Sequence, residues 1–145
     1  MNYTSMQFKF FNFNNSQLRH LFKSFTWRFI AFLDTFFLSY FISSNFKISI
    51  SISSIEFISK LILYYFHERF WFNSNLTNHK IRHLIKPFTW RVIGTLDTLI
   101  ISSLLFDDFF MGVQLASLET LTKLILYYLH DKIWYKLKFG LDEKK

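Results

Sequence analysis

The chain has 145 residues, 51% of them apolar and 22% aromatic but only 19% charged, with 21 Phe, 3 Gly, 1 Pro and no Cys. That composition excludes a disordered chain, and the absence of cysteine excludes a disulfide framework, a Cys-zinc site and a thiol nucleophile. The net charge of +7 lies in clusters between long apolar stretches, which points to a membrane surface and away from nucleic acid.

Residues 1–17 read as an Asn- and Phe-rich tail with a single lysine, Lys9, and without the small-residue cleavage site of a secretory signal. A first helical hairpin is predicted over 18–72, a linker over 73–81, a second hairpin over 82–135 and a charged tail over 136–145. Each hairpin holds two apolar stretches: Phe25 to about Ser44 and Ile48–Phe66, then Phe88–Phe106 and Gly112–Leu129. Each is about 18 to 20 residues, enough to cross a hydrocarbon core of about 30 Å as a helix. Ser24 and Pro87 suit helix starts, as a cap and a first-turn proline. Asn45 and Asp107-Asp108 mark the tight turns. The alternation of Ile and Ser over Ile48–Ser53 looks like a strand, but the matching Gly112–Ser117 does not alternate. Both are therefore read as helix, with serines bonding back to carbonyls one turn earlier.

The two hairpins are copies. Arg19-His20-Leu21 recurs as Arg82-His83-Leu84, and the same offset holds along the rest of both hairpins without a gap. Lys23, Phe25, Thr26, Trp27 and Arg28 return as Lys86, Phe88, Thr89, Trp90 and Arg91, and Leu33-Asp34-Thr35 returns as Leu96-Asp97-Thr98. Glu56 matches Glu119, Lys60–Tyr65 matches Lys123–Tyr128 at every position, and His67 and Trp71 match His130 and Trp134. Positions kept in both copies are taken as informative, and those that drifted mostly not.

Topology follows from charge. The side carrying both termini and the linker holds 14 Lys and Arg against 4 acids, while the opposite side holds Lys47, Asp107 and Asp108. By the positive-inside rule both termini face the cytoplasm, or its organellar equivalent. Trp27, Trp71, Trp90, Trp134 and the Tyr pairs fall near that basic interface, where aromatic rings anchor helices. Both hairpins then point the same way, related by a pseudo-twofold along the membrane normal.

Ser49, Ser53, Glu56, Lys60, Tyr64, His67 and Trp71 share one helical face, as do Gly112, Ala116, Glu119, Lys123, Tyr127, His130 and Trp134. On the partner helices Trp27, Ala31 and Asp34, and Trp90, Gly94 and Asp97, form a matching stripe. Helix rise puts Asp34 and Glu56 about 15 to 16 Å deep and Lys60 about 10 Å. Charge facing lipid there costs at least ~2.5 to 3.5 kcal/mol, so these groups are expected to turn away from the acyl chains. The predicted intramembrane cluster is Asp34, Glu56, Lys60, Asp97, Glu119 and Lys123, with Lys60 paired to Asp34 across the hairpin and to Glu56, and Lys123 likewise to Asp97 and Glu119. Four acids against two lysines leave a negative surplus, which a proton-carrying carboxyl would relieve. Arg19, His20, Arg28, His67, Arg82, His83, Arg91 and His130 are assigned to the interface, with Arg28 and Arg91 able to snorkel or join the cluster. The histidines with Glu68 and Asp131 form only a loose set without metal-ligand spacing. No metal, cofactor or catalytic residue is expected, no Gly-rich loop or Ser-His-Asp set is present, and the chain is not read as an enzyme.

The pattern R-H-L-x-K-x-x-T-W-R, then L-D-T, then E-x-x-x-K-L-I-L-Y-Y-x-H-[E/D]-x-x-W, resembles a prokaryotic family of small predicted membrane proteins catalogued as a domain of unknown function. In that family one domain is a helical hairpin with these motifs, and here the resemblance covers Arg19–Trp71 and Arg82–Trp134. It implies an integral inner-membrane protein and brings no activity, cofactor or catalytic residue. The bias toward Phe, Ile, Asn and Lys suggests an AT-rich genome, so an organellar membrane is the alternative to a bacterial inner membrane. The expectation is an all-α, integral membrane four-helix bundle of two tandem hairpins. It acts as a structural or accessory module in the lipid bilayer, as a homo-oligomer or within a larger complex. The alternative is a small proton- or ion-coupled transporter using Asp34, Glu56, Asp97 and Glu119.

Overall fold

A computed structural model describes the backbone of residues 15–73 and 79–137 and the side chains of 17–73 and 85–137. The expectations for the C-terminal tail, most of the N-terminal tail and the middle of the linker, and for the side chains of Arg82 and His83, lie outside these residues. Four helices follow one another: α1 (Asn15–Ser43), α2 (Phe46–Asn73), α3 (His79–Phe106) and α4 (Phe109–Lys136).

The corners of both hairpins are built alike. Ser44 and Asp107, at equivalent positions of the two copies, take the left-handed conformation (φ 51° and 54°) that ends a helix. The next residue caps the following helix: Asn45 Oδ1 accepts from the Ile48 amide at 3.3 Å, and Asp108 Oδ1 accepts from the amides of Phe110 and Met111 at 2.7 and 3.2 Å. Ile48–Ser53 is helical, and the hydroxyls of Ser49, Ser51 and Ser53 donate to the carbonyls of Asn45, Lys47 and Ser49 one turn back.

The expected helix starts at Ser24 and Pro87 are corrected. Both residues lie well inside helices, α1 beginning at Asn15 and α3 at His79. Pro87 lacks the N–H that would bond the carbonyl of residue 83, a loss tolerated near the polar end of a span, where the freed carbonyl is not held in hydrocarbon. Three helices contain stretches long and apolar enough to cross a membrane, Gln17–Ser43, Ile85–Phe106 and Phe109–Lys136. α2 is not among them. It nevertheless packs along both α1 and α3 and has the 28 residues of α3 and α4. A chain that crosses in α1 and again in the same sense in α3 must return through it.

Each helix packs on its two neighbours in the order α1, α2, α3, α4 and back to α1. Thr35, Ser39, Ser49, Ile52 and Ser53, with Thr98, Ser102, Gly112, Leu115 and Ala116, are buried and fill the bundle toward the corner end. This centre is made of small and hydroxylated residues because close backbone approach, rather than bulk apolar burial, holds helices together in lipid. At Gly112 the backbones of α3 and α4 come close: an added Cβ would meet Ser103 Oγ and lie 2.9 Å from the Ser103 backbone nitrogen. Large apolar side chains such as Phe25, Phe29, Phe37, Phe41, Leu104 and Leu121 are exposed on the outside, as lipid solvation requires.

Candidate functional site

The six residues of the predicted intramembrane cluster divide into two sets. Glu56 and Lys60 are one turn apart on α2, and Glu119 and Lys123 one turn apart on α4; both pairs form ion pairs within their helix. Each lysine also reaches the acid of the other copy: Lys60 Nζ lies 2.8 Å from Glu119 Oε1 and Lys123 Nζ 3.3 Å from Glu56 Oε1. The four side chains therefore close a ring across the α2–α4 diagonal of the bundle. α1 and α3 join it through hydroxyls. Thr98 Oγ1 donates to Glu56 Oε1 at 3.1 Å, Lys60 donates to Thr98 Oγ1 at 3.1 Å, and Lys123 donates to Thr35 Oγ1 at 3.3 Å. Glu56 and Glu119 are 2% and 3% exposed, so their charge is balanced inside the protein and hidden from lipid.

Asp34 and Asp97 do not pair with the lysines, which corrects the predicted cross-hairpin bridges. Thr122 donates to Asp34 Oδ2 at 2.9 Å and Ser59 donates to Asp97 Oδ2 at 2.7 Å, each across the seam between copies. One helical turn holds several side chains on one face but not in one direction. The lysines point to the bundle axis, where two glutamates compete for them, and the aspartates sit at the α1–α4 and α2–α3 seams. Asp34 is half-buried and lines an outer groove with Ile30, Leu33, Phe37, Leu38, Phe41 and Leu126. The expectation that every ionisable group turns inward is thus met by the ring and not by Asp34, whose carboxylate is shielded at the seam by the Thr122 hydroxyl.

Toward the basic end the same cross-copy rule continues. His67 Nε2 lies 3.0 Å from Thr89 Oγ1, and His130 Nε2 lies 2.9 Å from Thr26 Oγ1. Trp71 Nε1 donates to His67 Nε2 at 3.1 Å, whereas Trp134 Nε1 donates to Thr26 Oγ1 at 3.2 Å. Trp27 meets Tyr127 edge-on at 5.1 Å between ring centroids, and Trp90 meets Tyr64 in the same way at 5.2 Å. Trp71 and Trp134 thus lie on the polar helical faces their spacing predicts, turned into the bundle and not toward headgroups as anchors. Trp71 and Trp134 are 4% and 8% exposed. They share the buried face with the histidines, and an indole N–H removed from water needs an acceptor, which the bundle supplies.

The interfacial set is likewise split. Arg19 caps the end of α4, donating to the carbonyls of Trp134 and Leu137 at 2.5 and 2.6 Å with its guanidinium 5.6 Å from the Trp134 ring centre. His20 is exposed, while His67 and His130 are buried. Lys86 pairs with Glu68 at 2.7 Å, and Lys23 pairs with Asp131. Glu68 lies beyond the Ile48–Phe66 crossing segment, and the Lys86 ammonium holds its carboxyl below the usual glutamate range. Among the described residues no three His, Cys, Asp or Glu side chains converge as metal ligands.

Arg28 and Arg91 line a cavity of about 300 Å³ that enters the bundle between all four helices. Its walls include Trp27, Trp90 and Tyr64, and Lys60, Glu119 and Lys123 of the ring lie at its inner end. Sequence reasoning misses the hydroxyls that organise the site: Thr26, Thr89, Thr35, Thr98, Ser59 and Thr122. A signal for them exists, since each has a hydroxyl-bearing counterpart at the equivalent position of the other copy.

A family model described as "Predicted membrane protein (DUF2061)" matches residues 21–72 and again 84–135. No curated protein and no solved structure matches the chain. Each matched segment is one hairpin, and the chain belongs to this family of predicted membrane proteins as two tandem copies, joined across the bundle by common positions such as Glu56 and Glu119, Lys60 and Lys123, and Thr26 and Thr89.

Proposed function

We propose that this multi-pass protein is a structural or accessory membrane module: two fused hairpins whose polar faces lock onto one another, presenting an aromatic outer surface to lipid and to other membrane segments. The observation that carries the reading is the closed Glu56–Lys60–Glu119–Lys123 ring, in which each lysine bridges both copies. Because the polar faces are consumed inside the bundle, association with a second copy or a larger complex would use the exposed Phe-rich exterior. The reading includes no catalytic step. It puts the module in a bacterial inner membrane with both termini on the cytoplasmic side, on the strength of the 14 to 4 excess of basic residues there.

A second reading, proton- or ion-coupled transport, is favoured by one observation, the cavity that reaches the ring from the basic end. Purified protein reconstituted in liposomes separates the two. For a structural module, proton and cation flux stays at the level of empty liposomes, and crosslinking in native membranes captures discrete complexes. Flux above that level, abolished by D34N/E56Q/D97N/E119Q, replaces the module with the transporter.

A further inference from the structure

The two copies differ where it matters for the cavity. In the first, Phe32 and Phe57 meet edge-on at 6.3 Å between centroids and fill the space beside the ring, leaving about 40 Å³. Their counterparts in the second are Thr95 and Thr120, whose hydroxyls lie 3.2 Å apart and which line the cavity of about 300 Å³. Ala31 is likewise replaced by Gly94. Repeat symmetry is thus broken by exchanging bulky apolar side chains for short polar ones on one side only.

The charge around this space is not balanced. Lys60 and Lys123 are matched by Glu56 and Glu119. Arg28 and Arg91 also line the cavity, and no hydrogen bond or ion pair joins either guanidinium to the described residues. Two guanidiniums without acceptors among the described residues, at a low-dielectric opening between indole walls held in place by Tyr127 and Tyr64, are a strong site for negative oxygen. Asp34 and Asp97 do not line it and accept from hydroxyls elsewhere.

We propose that this vestibule binds a small oxyanion, with Arg28 and Arg91 as its charged ligands and the Thr95–Thr120 branch as the space that admits it. The oxyanion is a free carboxylate or phosphate, or the phosphate of a lipid headgroup. The test uses the full chain, delipidated in a maltoside detergent that carries no phosphate. Inorganic phosphate, acetate and a short-chain phosphatidylglycerol are titrated separately by calorimetry. Saturable binding of phosphate or acetate identifies a free anion, and binding of the short-chain lipid alone identifies a headgroup. T95F/T120F, which copies the residues of the first hairpin, is expected to keep the parent's helical circular dichroism and weaken binding about tenfold or more. R28Q/R91Q is expected to abolish it. No saturable heat with any of the three probes overturns the proposal. So does binding within about twofold of the parent in either variant once its circular dichroism matches.

Discussion

Removing one member of the charged ring tests whether it holds the hairpins together. In Lys123→Met, Glu56 and Glu119 keep Lys60 but lose the second ammonium, and Thr35 loses the donor 3.3 Å away. Both carboxylates are almost wholly buried, so water cannot replace the missing partner. Breaking a buried ion pair from one side costs about 3 to 5 kcal/mol. Polar contacts between helices in lipid average nearer ~0.6 kcal/mol, because the unfolded chain also finds partners there. The uncompensated negative charge left on the two buried glutamates puts this case toward the upper figure. The assay is equilibrium unfolding in mixed micelles with rising dodecyl sulfate fraction, read by circular dichroism. Lys123→Met should lose about 3 kcal/mol or more, while E56Q/K60M/E119Q/K123M, which removes every charge together, should return to within about 1 to 2 kcal/mol of the parent. Reversing all four charges at once keeps opposite signs adjacent and should fold as well. A single variant as stable as the parent, or a neutral ring no better than Lys123→Met, would refute the reasoning.

Other contacts give smaller expectations. Gly112→Ser places a side chain against the Ser103 backbone and should force α3 from α4, at a cost of about 1 to 3 kcal/mol in the same unfolding assay; an unchanged midpoint would show that the corner yields. Trp71→Phe deprives His67 Nε2 of its indole donor and should cost about 1 to 3 kcal/mol, whereas the exposed Phe72→Leu should stay within about 0.5 kcal/mol. Glu68 has a depressed carboxyl pKa, so its contribution is complete above the ordinary glutamate value near 4.5 and is lost as pH falls through the lower folded value. An acid titration of stability should therefore show a shallow loss below that pH, reduced in E68Q/K86Q; identical profiles would show that the half-buried pair contributes nothing.

Much of the architecture can be read from residue order because its causes are local. Asn45 and Asp108 stop one helix and cap the next within a few residues, and the shared face of Glu56, His67 and Trp71 follows from the helical period alone. Ser24 and Pro87 mislead for the same reason. Both residue types favour helix starts, yet neither prevents a helix from running outward through a polar interface. The partners of Lys60 are a different problem. Glu56 is fixed by its place one turn away, but Glu119 depends on how two hairpins dock, and no spacing within one hairpin encodes that.

Duplication supplies part of the missing information in an indirect form. When two copies face each other about a pseudo-twofold, a contact across the interface can occur twice, once from each side, as it does for Thr26 with His130 and Thr89 with His67, Trp27 with Tyr127 and Trp90 with Tyr64, and Ser59 with Asp97 and Thr122 with Asp34. A change in one member spoils half of such a contact, so the residue class is held at these positions in both copies. Space on the axis obeys the opposite logic. A symmetric pair of large side chains, Phe32 with Phe57 and the same again in the second copy, would close both branches; a cavity opens only where one copy departs, as Thr95 and Thr120 do. The drifted positions Thr95 and Thr120, which carry little signal in the sequence alone, therefore open the space, while common positions hold the hairpins together and, as Arg28 and Arg91, set the charge that lines it.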